Sequence, residues 1–177
     1  LNLINNFLEE KNSFIFESVE KGKIKGRYTI FGKNPDKIWE FNNKSSYLIK
    51  NNKKIKLNED PKFLIEKIIE SFKFKIPSNL PPIASIISGY FSYDSIRYIE
   101  KIPNNCEDDL NIPDVRLMRP RTLIIYDNLK KKIFYIINVF RDEKISNYQK
   151  KYLEINTELF QHFNKSFSQS LKKNNSS

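Results

Sequence analysis

The sequence predicts an α+β fold: a mainly antiparallel, sandwich-like sheet with flanking helices. Three observations carry this. Short runs rich in Phe, Tyr, Ile and Thr recur between turn residues from Ser13 to Phe140. Two of them, SYLIK and KKIKL, are separated only by Asn51-Asn52, a pair that tolerates the positive φ of a tight hairpin turn. Helical patterns interrupt the strands singly and do not alternate with them, so hairpins replace the βαβ units of a parallel sheet.

In order, Leu3, Ile4, Phe7 and Leu8 form a helical stripe over Leu1 to Glu10. Ser13 to Val19 is strand-like, with Phe14 and Phe16 alternating against Ile15 and Glu17. Gly22 and Gly26 bracket a lysine-rich turn, and Arg27 to Phe31 returns as a β-rich run. Lys37 to Phe41 and Tyr47 to Lys50 are further short strands. Asp60-Pro61 starts a helix: the carboxylate caps free amides, and proline sits where its missing N–H costs nothing. Phe63, Leu64, Ile68, Ile69 and Phe72 give that helix an apolar face, which Pro77 to Pro82 ends.

Ile86 to Tyr93 is a strand with Gly89 inside it, which predicts a bulge or a close backbone approach. Ser95 to Ile102 is a short helix on which Asp94, Arg97 and Glu100 stand at ion-pair spacing. Tyr90, Phe91 and Tyr93 are expected as core and sheet-face aromatics, and Asp114 and Arg116 as residues that position a loop. Thr122 to Tyr126 and Ile133 to Phe140, joined through Asp127-Asn128, are expected as a central, buried hairpin. A long amphipathic helix follows from Asp142, with Ile145, Tyr148, Tyr152, Ile155, Leu159 and Phe163 on one stripe.

Composition narrows the function classes. The chain of 177 residues carries a formal charge of +10, which invites a nucleic-acid reading. Its lysines are scattered and outnumber the arginines that read phosphates and bases as a fork, so a solvated basic surface is the expectation. One cysteine, Cys106, forms no internal disulfide and suits a reducing compartment. No apolar run approaches the roughly 20 residues that span a bilayer. A cytoplasmic chain that binds no membrane is expected. Leu1 begins the chain and Met118 is its only methionine, so it reads as a piece of a longer protein.

Self-sufficient catalysis is not expected. No GxGxxG or GxxxxGK[ST] loop is present among four glycines. His162 is the only histidine, on a helix face, so the usual triads lack their base. Glu107, Asp108 and Asp109 are expected as a solvated acidic loop; no catalytic or metal residue is assigned.

Two stretches nevertheless carry a family resemblance. GYFSYDSIRYIEKIPNNCEDDLNIPDVRLMRPRTLIIYD, from Gly89 to Asp127, closely resembles part of the N-terminal region of anthranilate synthase component I. FIFESVEKGKIKGRYTIFG, from Phe14 to Gly32, resembles the same family, and the two occur in the expected order. The resemblance implies a parent lyase that aminates chorismate with ammonia from a glutamine amidotransferase subunit and releases pyruvate to give anthranilate. It places the chorismate and Mg²⁺ residues in a C-terminal region beyond residues 1–177, so this chain is expected to be an inactive regulatory and scaffolding domain.

The resemblance also gives the Glu17-Ser18 pair a meaning. On their own these are strand-edge residues with Arg27 in a surface pair. In the family that segment lies beside the site that senses tryptophan. Glu17 would accept from the effector's ammonium, Ser18 would donate or accept, and Arg27 would offer a cationic fork to the carboxylate. Rival readings are aminodeoxychorismate synthase component I, a non-catalytic small-molecule binding module, and a basic nucleic-acid-binding domain.

Overall fold

The computed structural model describes residues 11–17, 26–42, 45–73, 75–103, 110–143, 146, 149–157 and 160–161. Two long strands organise it, β2 (Tyr28–Asn42) and β6 (Val115–Asp127), paired antiparallel from Tyr28↔Asp127 to Phe41↔Val115. Short strands flank them. β3 (Ser45–Lys50) and β4 (Lys53–Leu57) extend the sheet beyond one half of β2, and β5 (Ser88–Phe91) borders the matching half of β6. β1 (Phe14–Phe16) and β7 (Lys132–Ile137) flank the other half. All pairings are antiparallel. The α+β class is as the sequence predicts.

The predicted break between Arg27–Phe31 and Lys37–Phe41 is absent: both lie on the single strand β2. A register shift between Pro35 and Lys37 absorbs the irregularity, with Asn34 at φ 52°. Pro35 faces Pro120 there. Neither has an N–H, so the ladder yields where it has least to lose.

Asn51 and Asn52, at φ 50° and 59°, make the predicted hairpin turn between β3 and β4. Asp60 caps helix α1 (Pro61–Glu70), its carboxylate accepting from the Lys62 amide at 2.9 Å. Leu64 and Ile68, four residues apart, pack on Trp39, Phe41, Val115 and Leu117 to form the core of this sheet face. Phe63 and Ile69 flank that stripe and are exposed, contrary to the expected apolar face.

Gly89 fulfils the expected close approach. A Cβ there would lie 1.9 Å from the Arg116 carbonyl oxygen, so no larger residue fits without moving β5 from β6. The short helix is a 3₁₀ segment, Tyr93–Tyr98, earlier and tighter than Ser95–Ile102. Arg97 bonds Asp94 at 2.7 Å as expected, and its Nη1 donates to the Ile102 and Pro103 carbonyls.

Three expectations are corrected. Tyr90, Phe91 and Tyr93 are exposed, because β5 is an edge strand with no cover among the described residues. β7 is also an edge, shorter than Ile133–Phe140, and Ile133 is exposed while Ile125 on β6 is fully buried. The helix expected from Asp142 does not start there: Asp142 and Glu143 hold residues 140–143 in a turn against β6, and among the described residues 149–157 are helical. The N-terminal stripe, Cys106 with its acidic neighbours, and His162 lie outside the described residues.

Ile125→Ala is expected to cost about 2–5 kcal/mol, the usual range for truncating a buried isoleucine. Ile136→Ala, at a half-buried edge position, is expected to cost less. Urea denaturation of both variants checks this; equal costs would mean that β7 is as buried as β6.

Candidate functional site

Glu17 follows the last residue of β1 and is exposed. Phe16 pairs with Ile30, and Arg27 precedes Ile30 by three residues, so Glu17 and Arg27 share one end of the β1–β2 pair. Ser18 lies outside the described residues.

The GRY-x-x-x-G segment is explained position by position. Gly26 turns the chain at φ 79°, where a side chain would be strained. Arg27 is drawn to Asp127: Nε donates to Oδ1 at 3.1 Å and Nη2 to Oδ2 at 2.8 Å. Gly32 pairs with Phe14, whose ring lies across it; a Cβ would meet that ring at 2.3 Å.

Asp127 was not singled out by sequence, where Asp127-Asn128 signalled only a turn. Its side chain is 2% exposed. Oδ1 also accepts from the amides of Leu129 and Lys130 at 3.0 and 3.1 Å. Asn128 closes the same end, its amide donating to the Arg27 carbonyl at 2.7 Å and its side chain to that of Gly26 at 3.2 Å. The Arg27 bond, helped by these amides, outweighs burial and holds the Asp127 carboxyl down to about 2. The same bond raises Arg27. Arg27 is therefore engaged through two of its three nitrogens.

Two further ionic clusters bridge the long strands. Glu40 accepts from Arg116 Nε at 3.1 Å and Lys54 at 2.8 Å, and Arg116 Nη2 reaches Asn12 at 2.8 Å. Arg119 lies between Asp36, bonded through Nε at 2.7 Å, and Asp142, bonded through Nη1 at 2.9 Å. Phe140 stacks 3.8 Å from its guanidinium carbon. Burial opposes the charge of Arg119, but both carboxylates outweigh it and its pKa rises. Burial likewise opposes the Asp142 carboxylate, but Arg119 and Lys37 outweigh it and lower its pKa. Asp114 accepts from Tyr98 Oη at 2.6 Å, which fixes the loop as expected; burial first, then this bond, pushes the Tyr98 pKa up.

Two open clefts, of about 660 and 630 Å³, lie beside the Asp36–Asp142 and Glu40–Lys54 clusters. Neither is lined by Glu17 or Arg27. Among the described residues no group of three or more His, Cys, Asp or Glu is placed to hold a metal ion, and no helix is long and apolar enough to cross a membrane. The carboxylates that approach each other are already matched by arginine and lysine.

The Asp127 pair has a pH signature. Its folded pKa is depressed from 3.8 to about 2, so its stabilisation is complete above about pH 4 and is lost as pH falls through about 2. Wild type should lose stability relative to Asp127→Asn over that window, read from urea midpoints between pH 7 and 2. A difference constant with pH would mean that Arg27 does not hold the carboxylate.

No protein-family model matches the chain. It is 36% identical over 140 residues to anthranilate synthase component 1 of Acetivibrio thermocellus, covering 78% of this chain and 28% of that protein. It is 34% identical over 140 residues to the chloroplastic anthranilate synthase alpha subunit 1 of Oryza sativa subsp. japonica, covering 72% of this chain and 24% of that one. Its fold superposes on anthranilate synthase component I from Streptococcus pneumoniae TIGR4 with a TM-score of 0.59 and 24% identity, over 89% of this chain and 33% of the other. The chain thus spans about a quarter of the curated relatives it matches. By sequence and by fold it is related to a part of anthranilate synthase component I.

Proposed function

We propose that residues 1–177 are the N-terminal, regulatory and scaffolding domain of an anthranilate synthase component I. The observation that carries this is the 36% identity over 140 residues to a curated component 1, of which those residues make up only 28%. In this reading the parent protein converts chorismate to anthranilate in tryptophan biosynthesis, with ammonia from a glutamine amidotransferase subunit, and is inhibited by tryptophan. This reading assigns Mg²⁺ to the C-terminal domain. It also assigns the parent to the cytoplasm.

The effector site of this reading comprises Glu17, Ser18 and Arg27. Glu17 and Arg27 at one end of the β1–β2 pair support it. Since Asp127 occupies Nε and Nη2, Arg27 would offer the effector's carboxylate Nη1 from a fixed position rather than a whole fork.

The parent protein, assayed with chorismate, Mg²⁺ and its amidotransferase, should form anthranilate; aminodeoxychorismate as product would overturn the reading. Residues 1–177 alone, given chorismate, Mg²⁺ and ammonium, should form none. Ser18→Ala in the parent should raise the tryptophan concentration for inhibition about ten- to a hundredfold, the equivalent of about 1.5–3 kcal/mol for a bond to a charged group. Its uninhibited rate should hardly change, because the effector acts through a difference between two enzyme states. Unchanged tryptophan affinity by calorimetry would remove Ser18 from the site.

A further inference from the structure

An arginine at the end of a strand has a long side chain with many rotamers, and a ligand that needs it must first stop it moving. Arg27 stands just before β2 with its side chain 30% exposed. Asp127 holds it side-on, through Nε at 3.1 Å and Nη2 at 2.8 Å. The Tyr28 ring lies 4.8 Å from its guanidinium carbon, so one face is held as well as one edge. Among the described residues Nη1 has no partner.

The carboxylate that holds Arg27 is itself held. Asp127 ends β6 opposite Tyr28, and its side chain is 2% exposed. Its Oδ1 accepts from Arg27 Nε and from the amides of Leu129 and Lys130. Asn128 ties the same turn to the carbonyls of Arg27 and Gly26, so backbone and side chain of Arg27 are referred to one anchor. A carboxylate fastened in this way has no freedom to follow the arginine, so the arginine follows it. Glu17 stands at the same end of the β1–β2 pair.

We infer that Asp127 is a positioning residue for the effector's carboxylate: from the β6–β7 turn it presets the Arg27 guanidinium, and so sets the affinity for tryptophan without touching it. The inference rests on the effector-site reading of Glu17, Ser18 and Arg27. A preset arginine loses little rotamer freedom when the effector binds, and that saving appears as affinity. Asp127 also opposes the approach of a second carboxylate to Arg27. Solvent screens that repulsion at a partly exposed arginine, whereas the cost of ordering a loose side chain is not screened. Position therefore outweighs charge here.

The test is tryptophan titration of the full-length parent, by calorimetry and by inhibition of anthranilate formation, in Asp127→Asn, Arg27→Gln and the double variant. Asparagine keeps an acceptor for the turn amides. Arg27→Gln should raise the tryptophan Kd about ten- to a hundredfold, and Asp127→Asn about two- to tenfold. The double variant should bind no more weakly than Arg27→Gln alone, because Asp127 acts through Arg27. Uninhibited kcat and the KM for chorismate should stay at their wild-type values in Asp127→Asn. Additive losses, unchanged or tighter tryptophan binding in Asp127→Asn, or a fall in its uninhibited rate overturns the inference. Asp127→Ser, whose hydroxyl also accepts from those amides, repeats the comparison if the asparagine variant does not fold; inactivity of both makes Asp127 a structural residue and overturns the inference too. Unchanged tryptophan affinity in Arg27→Gln would instead overturn the effector-site reading on which it stands.

Discussion

The β2–β6 ladder is the constraint on which the rest depends. Every other strand except β4 pairs with one of its two members, and β4 reaches it through β3. Phe41, Val115, Leu123 and Ile125, fully buried, all stand on these two strands. Each strand must therefore serve as template and core at once. Pairing over so many residues makes that possible, because each residue added satisfies its backbone groups and every second one turns another side chain to the same face.

Three arginines stitch this ladder at separate points. Arg27, just before β2, reaches Asp127 at the end of β6; Arg116 and Arg119 on β6 reach Glu40 and Asp36 on β2. Arginine suits this task, since its planar fork holds a carboxylate through two bonds and fixes orientation as well as charge. Arg119 and Asp36 are the most buried of the three pairs. Removing one partner of such a pair costs about 3–5 kcal/mol, since the other is left buried and uncompensated. Much of the basic–acidic patterning is thus framework chemistry, and the net positive charge is a remainder on the surface.

Local physics made much of this legible in the sequence. Asp60-Pro61, Asn51-Asn52 and Gly89 each announced a local constraint, and each is found at the feature it announced. What stayed hidden was long-range. Nothing near Asp127 in sequence tells that Arg27, a hundred residues earlier, will claim it. Nor did alternation distinguish β6 from β7: both are runs of apolar residues, and only the sheet order makes one central and the other an edge. The aromatics after Gly89 misled for the same reason, since β-rich composition tells that a segment pairs but not whether both its sides are covered. At the candidate site a pair for Arg27 was expected from the sequence, but not that its partner would be Asp127.

The facing prolines also bear on how the chain finds its fold. Pro35 and Pro120 occupy the one place where β2 and β6 shift register. Slide either strand by a residue and a proline would face a carbonyl that needs a donor, while every apolar side chain would turn to the wrong side. A misaligned ladder is thus penalised twice at the moment it forms, by chemistry at one point and by burial along its length. The irregularity acts as an index mark for the alignment of the two strands.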